Sequence, residues 1–124
     1  MKQDVIICLD IGGTHCRAGL VDQKGQLSQL RILSTKELAH PDFVSALTET
    51  LREFISRNQA QYQIRAVSLG FPATVDRSRR HVLQAPNIPG LPEDLPVCDI
   101  LEKALGIPVF LDRDVNLLLA FDLR

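Results

Sequence analysis

At 124 residues, 45% of them hydrophobic, the chain has the material for one domain with a sizeable core. Its 14 basic and 15 acidic side chains leave a net charge of −1, with no basic block long enough to follow a nucleic-acid backbone, so no nucleic-acid partner is expected. No stretch approaches the roughly 20 apolar residues of a membrane span, and the N-terminus runs straight into a strand pattern without a signal sequence, so a cytoplasmic protein with no membrane partner is expected.

The β-branched run Val5 to Asp10 predicts a first strand, Gly12-Gly13 a turn, and Cys16 to Val21 a second strand. Asp22-Gln23-Lys24-Gly25 reads as a turn in which Gly25 supplies a positive φ, and Leu27 to Ser34 as a third strand. Hairpin-linked strands in succession make an antiparallel meander. Pro41-Asp42 opens a helix whose Phe43, Val44, Leu47, Leu51, Phe54 and Ile55 share one face, leaving Arg52, Glu53, Arg57 and Asn58 to solvent. Ile64 to Phe71 suits a strand buried on both faces. The basic turn 77–80 separates Ala73-Thr74-Val75 from His81-Val82-Leu83 and suggests a hairpin, and 87–92 is a rigid Pro/Gly loop. A second helix runs from about Pro96 to Leu105 and stops at Gly106. Val109 to Leu111 is a last strand, followed by Asp112-Arg113-Asp114 and by Val115 to Arg124, an apolar helix pattern with no cap that reads as a helix cut short.

This order describes an α/β protein: a mixed sheet with an antiparallel first three strands and flanking helices. Sites of such sheets lie at the carboxyl ends of strands, where Asp10, Pro72-Ala73 and Asp112-Arg113-Asp114 all fall. The segment from Asp10 to Arg17 carries the clearest chemistry. Adjacent glycines remove the Cβ atoms that hold an anion off the backbone, so the amides of Gly12 to Thr14 can face a phosphate. The Thr14 hydroxyl adds a donor and Asp10 can hold a metal-bound water; the competing reading is a tight Gly-Gly hairpin with no ligand. Cys8, Cys16 and Cys98, odd in number and within apolar segments, read as reduced packing thiols. His15 has no catalytic partner at a readable spacing and reads as an exposed turn residue.

Taken together, Asp10-Ile11-Gly12-Gly13-Thr14 with Arg17, Gly70-Phe71-Pro72-Ala73, Asn87-Ile88-Pro89-Gly90 and Arg113-Asp114-Val115-Asn116 resemble the ordered motifs of the ROK family of sugar kinases and sugar-responsive repressors. The departures are Ala73 for the usual glycine, Leu91 for tryptophan and Arg113 for asparagine. Within the family the strings are most similar to those of D-allose kinases. The resemblance implies an actin-like ATPase (ribonuclease H-like) fold, with residues 1–124 as an amino-terminal lobe whose final helix is truncated. A carboxyl-terminal lobe, with a zinc site and an adenosine pocket, would be absent and the lobe alone inactive.

The implied activity is ATP-dependent phosphorylation of a hexose at its 6-hydroxyl, D-allose to D-allose 6-phosphate, with ATP and Mg²⁺ as cofactors. Asp10 would hold Mg²⁺ through water, and Gly12, Gly13, Thr14 and Arg17 would face the ATP phosphates, although Arg17 could equally pair with an acid inside the lobe. Asp114 would be the catalytic base, a role compatible with capping the helix that follows it. Ala73, Thr74, Asn87, Arg113 and Asp114 would meet the sugar, Asn87 being equally suited to capping its own turn. The alternative is a non-catalytic sugar sensor, or a transcriptional regulator lacking its DNA-binding domain. The apolar surface of the cut helix is expected to drive self-association.

Overall fold

The computed structural model describes residues 2–12, 14–38, 42–70, 74–75, 82–84 and 95–112, with backbone alone at 37, 74–75, 82–84 and 112. Strand β1 (Gln3–Ile11) pairs antiparallel with β2 (His15–Asp22), which pairs antiparallel with β3 (Leu27–Ser34). This is the meander expected from sequence. Its second turn is fixed by Asp22, whose carboxylate accepts the amides of Lys24 and Gln26 at 2.9 Å each, while Gly25 takes φ +81°.

A four-residue helix α1 (Thr35–Leu38), too short to leave a periodic pattern, follows β3 directly. Helix α2 (Phe43–Asn58) and strand β4 (Tyr62–Gly70) come next, then the short antiparallel pair β5 (Thr74–Val75) and β6 (Val82–Gln84). Helix α3 (Val97–Leu105) ends at Gly106, left-handed at φ +75°, and leads into β7 (Val109–Asp112). The main sheet has the order β3-β2-β1-β4-β7, and β1, β4 and β7 run parallel. Both helical connections between parallel strands therefore lie over one face, as right-handed crossovers require.

That face carries the main core. Val5, Ile7, Leu9 and Ile11 of β1 alternate inward with Cys16, Ala18 and Leu20 of β2, and pack against Phe43, Leu47, Leu51 and Phe54 of α2 and Val97, Cys98 and Leu101 of α3. The opposite face holds a smaller cluster of Ile6, Val21 and Ala66 with Cys8 against it. Burial of both sides of β1 explains why its apolar run is nearly continuous.

One assignment made from the sequence is corrected. Asn58, placed on the solvated face of the helix, is buried, and its side-chain amide donates to the carbonyl of Phe54 at 2.8 Å. Its position is eleven residues after Leu47 and four after Phe54, which puts it on the apolar stripe, and the hydrogen bond removes the cost of burying its amide. Arg57 and Glu53 do stay outside and pair at 2.6 Å. Among the described residues no helix is long and apolar enough to cross a membrane.

Candidate active site

Parallel pairing brings the carboxyl ends of β1, β4 and β7 to one edge of the sheet. The register places Arg17, Asp10, Gly70 and Asp112 in a single row across β2, β1, β4 and β7. At the usual strand spacing the Cα atoms of Asp10 and Asp112 stand about 10 Å apart, with the side-chain-free Gly70 between them. Convergence of these strand ends, expected from sequence, is thus built by the sheet order itself. Asp114 follows two residues beyond the end of β7 and lies outside the described residues.

The hairpin between β1 and β2 is closed by the Gly12 amide, which donates to the His15 carbonyl at 2.9 Å. This corrects the expectation that the Gly12 amide faces a phosphate, because it is committed within the turn. What Gly12 provides is space. A Cβ built on it would lie 2.8 Å from the His15 carbonyl oxygen, a separation that real Cβ atoms essentially never show. Two further bonds come from the start of α1: the Thr35 hydroxyl donates to the Gly12 carbonyl at 2.7 Å, and the Thr35 amide donates to the Thr14 carbonyl at 3.0 Å. Sequence reasoning missed Thr35, which stands 23 residues from Gly12 and belongs to no recognisable motif.

Asp10, Thr14, His15 and Arg17 are exposed. Among the described residues none of their side chains makes a hydrogen bond or ion pair, although Asp10 and Arg17 are direct cross-strand neighbours. The salt bridge to an acid considered for Arg17 is therefore not formed among these residues, and His15 is exposed as expected, although it is the first residue of β2 rather than a turn residue. The edge thus presents an acid, a base and a hydroxyl around a turn with little steric bulk, an arrangement suited to a phosphate with its counter-ion.

The thiols behave as packing groups. Burial pushes Cys8 up to about 12, and burial also raises Cys16, with hydrogen bonding from Thr35 and the Gly12 backbone opposing the rise and the nearby Asp10 carboxylate adding to it. Cys16 Sγ sits 3.2 Å from Thr35 Oγ1. None of the three cysteines is in a disulfide, and among the described residues no group of three or more His, Cys, Asp or Glu side chains is placed to hold a metal ion. Of the other residues singled out from the sequence, Gly13, Ala73, Asn87 and Arg113 lie outside the described residues, and Thr74 is described only as backbone in β5.

The ROK family model matches residues 6–121. The chain belongs to the ROK family. Glucokinase from Streptomyces coelicolor is 34% identical to this ROK chain over 110 residues, which cover 89% of this chain and 32% of the relative. The crystal structure of a ROK family glucokinase from Streptomyces griseus, in complex with glucose and AMPPNP, superposes with a TM-score of 0.72 at 29% identity, covering 90% of this chain and 34% of that one. A ROK family transcriptional regulator, homolog of the E. coli MLC protein, superposes with a TM-score of 0.75 at 20% identity over 88% of this chain and 27% of that one, a likeness of fold alone. The sheet is accordingly that of the actin-like ATPase fold, as the motifs implied. The chain spans about a third of the length of the curated relatives it matches.

Proposed function

We propose that this ROK chain is the amino-terminal lobe of an ATP-dependent hexose 6-kinase, with D-allose its leading substrate. The observation that carries the reading is the row of strand ends, in which the hairpin and its exposed Asp10, Thr14 and Arg17 share one sheet edge with the segment leading to Asp114. Kinship with glucokinases, one of them crystallised with glucose and AMPPNP, supports the reaction class. D-Allose is favoured over glucose by Ala73 and Arg113, two departures at positions expected to meet the sugar.

The residues present fit a magnesium-bound nucleotide. Gly12 leaves room that a Cβ would fill, the Thr14 hydroxyl is without a partner among the described residues, and the Asp10 carboxylate is exposed and unpaired among them, suited to holding Mg²⁺ through water. Gly13 and Arg17 complete the set facing the phosphates. Bound MgATP supplies the γ-phosphoryl group. Asp114 would accept the proton of the sugar 6-hydroxyl as that oxygen bonds to the γ-phosphorus and the bond from phosphorus to the departing ADP breaks. Arg113, Asn87, Ala73 and Thr74 orient the sugar. An adenosine pocket and a zinc site are assigned, on the family resemblance, to a carboxyl-terminal lobe outside these 124 residues, so the 124-residue chain alone is expected to give background rates.

The test is a coupled ADP-release assay on the full-length protein with glucose, mannose, allose and N-acetylated hexosamines. Sugar-dependent ADP release, fastest with allose and shifted towards glucose by Arg113→Asn, is expected. Hexose binding without any ATP consumption would instead identify a sugar sensor.

A further inference from the structure

Resting on the kinase reading above, we propose that Thr35 is a positioning residue for the phosphate hairpin, a clamp that holds the turn open for the nucleotide without touching it. Thr35 is wholly buried, at 0% exposure, and one residue engages three groups of the hairpin. Its hydroxyl donates to the Gly12 carbonyl at 2.7 Å and lies 3.2 Å from Cys16 Sγ, while its amide donates to the Thr14 carbonyl at 3.0 Å. The two carbonyls so held flank Gly13 on both sides in the sequence.

The geometry has a consequence for binding. A glycine pair is free to take many backbone conformations, and each must be given up when a phosphate docks. The two bonds from Thr35, at the start of α1, fix both shoulders of the turn before the ligand arrives, so less order is lost on binding. They also engage two carbonyl oxygens, which would repel an anion, in bonds to Thr35. Among the described residues Thr35 is the one whose bonds to these two carbonyls are seen outside the regular strands and helices.

Thr35→Val keeps the shape and the amide but removes the hydroxyl, and Thr35→Ser keeps the hydroxyl. In the full-length protein, Thr35→Val is expected to raise KM for ATP on the order of tenfold, the effect of one lost hydrogen bond on a docking loop, with KM for the hexose within about twofold of wild type. Thr35→Ser should restore KM for ATP. Hydrogen exchange gives a readout that does not depend on activity: in the wild type the Thr35 amide exchanges as slowly as the amides of β2, and in Thr35→Val the segment 10–16 exchanges faster while β4 does not change. A folded valine variant with unaltered KM for ATP, a serine variant as impaired as the valine one, or a Thr35 amide that exchanges like an exposed loop overturns the clamp. A wild type that consumes no ATP with any hexose overturns the kinase reading instead, and the exchange result then decides the clamp by itself.

Discussion

Gly12→Ala isolates the steric demand of the hairpin. The new Cβ would stand 2.8 Å from the His15 carbonyl oxygen, which is backbone and cannot rotate away. Relief requires the turn to spread, which strains or breaks the 2.9 Å bond from the Gly12 amide to that same oxygen and disturbs the 2.7 Å bond from Thr35. One lost backbone hydrogen bond costs about 1 kcal/mol and overpacking strain adds about 1–2 kcal/mol, for a loss of roughly 2–3 kcal/mol. For a domain of this size that is a fall in Tm of about 8–12 °C. Gly19→Ala is the control, since the one close approach of its Cβ would be to Leu27 Cδ1, at 2.5 Å, the far end of an exposed side chain that can turn aside, while the Ser28 carbonyl oxygen at 3.4 Å and Leu27 Cγ at 3.5 Å lie at ordinary contact distance. Its cost should stay below about 1 kcal/mol, offset in part by the reduced freedom of the unfolded chain. Differential scanning calorimetry of the three proteins reads the difference. Equal Tm values for Gly12→Ala and Gly19→Ala would refute the tight hairpin.

Three further outcomes are expected. Gly106→Ala, with nothing within 4 Å of its Cβ but φ at +75°, should cost about 1 kcal/mol from backbone strain alone, measured by urea unfolding, and a neutral result would mean the helix end relaxes. Because the Cys8 thiol is raised from 9.0 to about 12 in the folded protein, the native state holds its proton where the unfolded chain has lost it, so stability is full below pH 9 and declines as pH rises towards 12; Cys8→Ala should flatten that decline, and an unchanged profile would overturn the burial argument. Edge strand β3 exposes Leu27, Leu30 and Ile32, the last at 60%, and with the apolar residues of 117–123 this predicts that the 124-residue chain self-associates at tens of micromolar; a 13.8 kDa monomer by light scattering would contradict it.

Much of this architecture could be read from the chain because α2 buries a single stripe while β1 and β4, buried on both faces, carry nearly continuous apolar runs. The helical spacing of Phe43, Leu47, Leu51 and Phe54 matches the burial observed. The polarity of Asn58 points to solvent while its spacing points to the core, and the neighbouring Phe54 carbonyl, which accepts its amide, is what lets the spacing prevail. Helix α1 and Thr35 left no local signal: the helix is a single turn, and the clamp joins residues that become neighbours only when β3 pairs with β2. The glycine turn announced an anion site, but that the Gly12 amide closes the hairpin follows from chain reversal, which spacing does not record. For the sugar side, Ala73, Asn87, Arg113 and Asp114 remain motif assignments, since they lie outside the described residues.

The most direct test of a strand-end carboxylate acting on a hexose is the turnover of Asp114→Asn in the full-length protein at saturating ATP and sugar, with the sugar dissociation constant measured alongside. Loss of a general base should lower kcat by at least about 10²-fold while sugar binding stays within a few-fold of wild type. Near-normal kcat in that variant would leave Asp114 a helix cap and contradict the mechanism.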